Sequence, residues 1–243
     1  MSFSTKKILI PIPDRDFDTT EVSIPWKALT ARGYEVVFST ETGQVGQTDP
    51  LLLTGVLFGK LGAKPEAIEA YRQLVKSDRF KHPIPYHEIQ PTDYELLILP
   101  GGHAKGMRQY LESQMLQTKV LEFMKNDQLV AAICHGTIVL ARTRDPETGK
   151  SVLYGRKVTA LTQTLERTAY YLTAWKHGDY YRTYPEYVEE EVIHALQNPH
   201  DFQRGQASWK PFCLEDGNLI TARYPLDAHV FADALLKRLA EPK

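Results

Sequence analysis

Short apolar runs separated by amphipathic stretches set the rhythm of this chain. Residues 7–12 are apolar and closed by Pro11 and Pro13, which predicts a first buried strand. Between Thr20 and Arg32 the apolar positions Val22, Ile24, Trp26, Ala28 and Leu29 precede Gly33, which predicts a helix despite Pro25. Residues 34–39 read as the second strand. This order, with a short glycine-containing return, predicts parallel pairing, because a crossover helix is what lets two neighbouring strands run the same way.

The same alternation continues downstream. Residues 40–62 form an irregular excursion that carries Leu51-Leu52-Leu53, and 65–80 read as a helix with Pro65 in its first turn. Residues 93–99 are a buried strand running into Pro100-Gly101-Gly102, 106–125 an amphipathic helix, 128–133 a strand that stops at Cys134, and 156–161 a further strand. A helix is expected over 185–196, with Glu186, Glu189, Glu190 and Glu191 on a solvated face. Residues 212–215 and 219–222 flank Asp216-Gly217, a hairpin signal, and Asp227 is placed to cap a last helix reaching Leu239. No repeat, low-complexity tract or linker interrupts the pattern, so 1–243 is expected to form one domain. Aromatic residues crowd 168–210, where a cover over one edge of the core, a substrate lid and a dimer surface all fit.

Composition narrows the partners. With 42% hydrophobic and 24% charged residues this is an ordinary globular composition, and a net charge of −1 with no basic block argues against nucleic acid. A small neutral or weakly charged ligand fits better. Two cysteines in 243 residues point to a reducing compartment, so the cytoplasm is expected. Lys6 and Lys7 are followed by only Ile8-Leu9-Ile10 before Pro11, too short for a signal peptide, and no apolar run approaches a membrane span.

The candidate chemistry lies where the strands end. Ala132-Ile133-Cys134-His135-Gly136 has the form of a nucleophile elbow, in which small residues two before and two after the nucleophile avoid a clash at a sharp strand-to-helix turn. A helix N-terminus beside the thiol favours its thiolate. A cysteine after an apolar strand is equally at home as inert core, so these five residues alone leave both readings open. Likewise, Gly101-Gly102 suits either a plain tight turn or backbone N–H groups approaching a ligand.

Taken together, the Pro100-Gly101-Gly102 turn, the Cys134 elbow and Glu21 on the first helix resemble the DJ-1/PfpI superfamily over nearly the whole chain. The adjacent Cys134-His135 pair and the later stretch Val158-Thr159-Ala160-Leu161-Thr162-Gln163-Thr164-Leu165-Glu166 are similar to its Hsp31-like branch. The resemblance implies an α/β, flavodoxin-like three-layer sandwich with a mainly parallel central sheet and helices on both faces. It implies a catalytic set of Cys134, His135, Glu166 and Glu21, with Glu166 fixing the imidazole tautomer and Glu21 sharing a proton with the thiol. Backbone amides at Gly101, Gly102 and His135 would hold an oxyanion. The implied activity is glutathione-independent, glyoxalase III-type conversion of methylglyoxal or glyoxal to a 2-hydroxy acid, with no cofactor and no metal, by a homodimer. An amidase or peptidase using the same thiol on a small amide, and a non-enzymatic stress or redox-sensing role, are the alternatives. The aromatic stretch looks longer than in the Hsp31-like proteins, which leaves the substrate open.

Overall fold

The computed structural model describes residues 7–241, so Lys6 of the N-terminal lysine pair lies outside the described residues. Among the described residues nine strands occur in chain order: β1 (Lys7–Pro11), β2 (Arg15–Phe17), β3 (Glu35–Thr40), β4 (Gln47–Thr48), β5 (Ile84–Pro85), β6 (Leu96–Leu99), β7 (Leu129–Ile133), β8 (Cys213–Asp216) and β9 (Leu219–Ala222). Seven of them form the central sheet in the order β5-β3-β1-β6-β7-β9-β8, parallel except for the β8–β9 hairpin, while β2 and β4 pair separately.

The apolar runs explain this sheet. Ile8, Leu9 and Ile10 of β1, all four residues of β6 and Val130–Ile133 of β7 are buried. Strands buried on both faces read as continuous apolar runs because helices cover both sides. From β1 the chain passes through α1 (Thr19–Thr30) to β3 on one side of β1; from β6 it passes through α5 (Arg108–Glu112) and α6 (Gln114–Lys125) to β7 on the other. Right-handed crossovers in opposite directions put the connecting helices on opposite faces. Accordingly α1 packs on α3 (Pro65–Leu74) and α10 (Ala228–Ala240). A second group joins α5 and α6 to α7 (Gly136–Arg142), which meets α9 (Val188–Ala195) and through it α8 (Gln163–His177). One contiguous apolar core runs from Ile8 to Leu239. Since β1 sends the chain one way and β6 the other, the sheet has a switch point between them, and the crevice beyond the strand ends there is where such sheets bind ligands.

Several expectations need correction. Residues 156–161 are not a strand: β9 occupies the place beside β7, and the segment keeps one backbone bridge, Val158 with Phe202, while Thr159 N–H donates to the Thr221 hydroxyl. The 106–125 helix breaks at Ser113, whose hydroxyl accepts from Leu116 N–H and starts α6 afresh. The 65–80 helix divides into α3 and α4 (Asp78–Lys81), and 40–62 holds β4 and α2 (Pro50–Thr54). Asp227 begins α10, but its carboxylate binds Arg223 and Phe212 N–H rather than the helix's own amides. Glu189 is buried, not solvated, and accepts from Gln163 N–H.

Candidate functional site

Three strand ends meet at the switch point. Cys134 follows β7 with a left-handed φ of 59°, a backbone state costing a non-glycine residue on the order of 1–3 kcal/mol, and its N–H donates to Ala222 O across the sheet. Only a small residue can follow at 136: a Cβ on Gly136 would lie 2.0 Å from Leu99 O at the end of β6. The Pro-Gly-Gly turn after β6 presses on the elbow just as closely. A Cβ on Gly101 would lie 2.7 Å from His135 N, 2.8 Å from Cys134 Cβ and 2.9 Å from Glu21 Oε2.

Glu21 reaches the same point from α1. Asp18 caps that helix, its Oδ1 accepting from Thr20 N–H (2.7 Å) and Glu21 N–H (3.0 Å), and Asp18 N–H donates to Gly101 O. Gly101 N–H donates to Glu21 Oε2 at 2.8 Å, so that amide is already committed. Glu21 Oε1 is buried without a hydrogen-bond partner. Burial, reinforced by the Asp18 carboxylate, pushes Glu21 well above the usual carboxylate range, and burial pushes Asp18 up to about 6. Burial thus favours the protonated form of Glu21.

Cys134 is fully buried. Its burial, then the Glu21 and Asp18 carboxyls, push the thiol up, overriding the thiolate bias expected of a helix N-terminus. The nearest side-chain nitrogen belongs to His135. His135 Nδ1 lies 3.5 Å from Cys134 Sγ, while Nε2 lies 3.2 Å from Thr183 Oγ1. The Thr183 hydroxyl donates to His103 O (2.5 Å), so toward His135 it accepts, and Nε2 must carry the imidazole proton. Burial, helped by His103 and Arg142, pushes His135 well below its ordinary value. The ring is neutral, with the Nδ1 lone pair facing the thiol.

Glu166 is brought to the same place, but less closely than expected. Its Oε1 lies 3.9 Å from His135 Nε2, beyond hydrogen-bond reach, and 3.7 Å from an Arg182 guanidinium nitrogen, while Oε2 accepts from Val188 N–H at 2.9 Å. Burial pushes Glu166 up to about 7. Donor atoms of His103, Cys134 and His135 lie within 4.8 Å of one another, the one such cluster among the described residues; a metal ion there would occupy both the thiol and the nitrogen facing it.

A family model described as ThiJ/PfpI family-like matches residues 12–195, most of the chain. The chain belongs to the ThiJ/PfpI family. Among the relatives of this ThiJ/PfpI protein, Glyoxalase 3 of Candida albicans is 23% identical over 209 residues, covering 84% of this chain and 81% of that protein. Glutathione-independent glyoxalase HSP31 of Saccharomyces cerevisiae is 25% identical over 207 residues, with 84% and 81% covered. An uncharacterized Schizosaccharomyces pombe protein is 27% identical over 146 residues, and this chain spans only 55% of its length. The crystal structure of glyoxalase III from Candida albicans shares the fold with a TM-score of 0.71 at 20% identity, covering 96% of both chains. These relatives place the chain in the Hsp31-like branch of the DJ-1/PfpI superfamily. Among its described residues no helix is long and apolar enough to cross a membrane.

In this ThiJ/PfpI protein no local motif marks Thr183, which lies 48 positions from His135 in an aromatic stretch. Asp18 carried a signal, an Asp at a helix start one turn before Glu21. His103 carried another: it follows the glycine pair, and its ring packs edge-on against His135 with centres 4.7 Å apart. Arg223, fully buried, binds Asp227 and three loop carbonyls.

Proposed function

We propose that this chain is a glutathione-independent glyoxalase of the glyoxalase III type. The reading rests on one arrangement: a neutral imidazole nitrogen 3.5 Å from a buried thiol, with the Glu21 carboxyl, whose burial favours its protonated form, acting on the same thiol. Cys134 Sγ bonds to the aldehyde carbon of methylglyoxal while its proton passes to His135 Nδ1 and Glu21 protonates the carbonyl oxygen. The Gly102 and His135 amides hold the developing charge. The Glu21 carboxylate then takes the C1 proton, and protonated His135 returns its proton to the C2 oxygen. Glu21 delivers the first proton to C2 as the C1 hydroxyl proton passes to His135, leaving a 2-hydroxy thioester. Water displaces the sulfur and restores thiol, imidazole and carboxyl. C1 is oxidised as C2 is reduced, so water is the one co-reactant.

The relatives named as glyoxalases support the same reading. In this proposal 1–243 works as one domain, with the aromatic stretch 168–210 as its cover. Purified protein incubated with methylglyoxal is expected to form D-lactate at least a hundredfold faster than Cys134→Ser. Equal rates for the two would overturn the proposal.

A further inference from the structure

A cavity of about 350 Å³ opens beside the dyad, walled by Leu52, Val56, Leu161, Leu165 and Leu172. His103 and Asp18 lie at its inner end, and a His103 ring nitrogen is within 4.8 Å of Cys134 Sγ, so the cavity stops one side chain short of the nucleophile. We propose that this cavity binds an apolar substituent, and that the preferred substrate is a 2-oxoaldehyde carrying an aryl or branched alkyl group rather than methylglyoxal. This inference rests on the glyoxalase reading and sharpens it.

Volume is the first argument. Cavities of roughly 300–1,000 Å³ hold drug-sized ligands, so the five heavy atoms of methylglyoxal would leave most of this one empty. Hydrogen bonding is the second. Every hydroxyl on the lining is already used: Thr168 and Thr173 donate to Thr164 O and Ala169 O within their own helix, Tyr181 to Asp49, and Tyr224 to Ser208 O. A hydrogen-bond-accepting substituent would find no free hydroxyl donor there, a cost that apolar groups avoid. At the inner end the situation reverses, because His103 Nε2 is buried with no hydrogen-bond partner and its ring, pushed down to about 4 by burial, is neutral. A dicarbonyl head fits there and an apolar tail fits the leucine walls. The reaction is R–CO–CHO plus water to R–CHOH–COOH, with the same sulfur–carbon bond formed and broken.

Phenylglyoxal and methylglyoxal, compared by chromatographic detection of mandelate and lactate, separate the possibilities. The expected result is a kcat/KM at least tenfold higher for phenylglyoxal, in line with burial of an aromatic ring in place of a methyl group. Leu172→Glu, at a half-exposed position where the fold tolerates a charge, is expected to lower that preference at least fivefold. Turnover of both substrates with methylglyoxal equal or better, or a preference unmoved by Leu172→Glu, would overturn this inference and leave the glyoxalase reading standing. Turnover of neither would overturn both.

Discussion

The proton on His135 is placed by a hydroxyl. Thr183 spends its own proton on His103 O and accepts from Nε2, and Arg108 holds the Thr183 carbonyl through a 2.7 Å bond from Nε. Thr183 is thus a positioning residue: it selects the tautomer whose Nδ1 can accept from Cys134. Thr183→Val keeps the shape and removes the hydroxyl, and kcat on an oxoaldehyde is expected to fall about 10- to 100-fold with KM nearly unchanged. Thr183→Ser should restore most of the rate. A loss that serine fails to rescue would assign Thr183 a packing role instead. At this scale the sequence displayed the residues whose chemistry is rare, Cys134 and its neighbour His135. Thr183 was invisible because threonine is common and its role exists only through contacts with two distant residues.

At the scale of elements, the elbow depends on how closely β6 and β7 approach. Gly136→Ala would drive a Cβ to 2.0 Å from Leu99 O and 2.7 Å from Pro100 O, both backbone atoms that cannot rotate away. A loss of about 3 kcal/mol or more is expected in urea unfolding. Gly149 offers the contrast. Its φ is +68° but no atom lies within 4 Å of an added Cβ, so Gly149→Ala should cost only about 1 kcal/mol of backbone strain. Comparable losses for the two variants would refute the close-approach explanation. Strands β1, β6 and β7, helix α1 and the β8–β9 hairpin were readable because each carries its own apolar period or turn signal. The failures lay where local pattern and tertiary demand diverge. Residues 156–161 have strand-like composition, but β9 holds the place beside β7 and they keep only the Val158–Phe202 bridge, and Ser113 cuts a helix that the apolar period alone would continue.

Across the whole molecule, burying ionisable groups makes stability depend on pH. Glu166 titrates at its ordinary value of 4.5 in the unfolded chain and at about 7 in the fold. Between those values the folded state keeps a proton that the unfolded chain has lost, so this contribution is complete below about 4.5 and is lost as pH rises through 7. Asp18, raised from 3.8 to about 6, acts in the same direction at lower pH, while His103, lowered from 6.5 to about 4, opposes both as pH falls. Removing the Glu166 charge isolates one contribution: wild-type stability relative to Glu166→Gln is expected to fall by up to about 3 kcal/mol between pH 5 and pH 8. Urea midpoints at the two pH values measure it, and parallel shifts of both proteins would contradict it.

The sequence by itself determined the parallel α/β sheet and the strand ends that bear Gly101, Gly102 and Cys134, because periodicity and turn chemistry are local properties. Only the tertiary structure decided how the site is wired. Burial, which no single residue encodes, favours the neutral forms of Glu21, His135 and the Cys134 thiol. Distance then favours Thr183, at 3.2 Å, over Glu166, at 3.9 Å, as the partner of His135 Nε2, and distances between segments 30 to 50 residues apart are set by packing of the whole core.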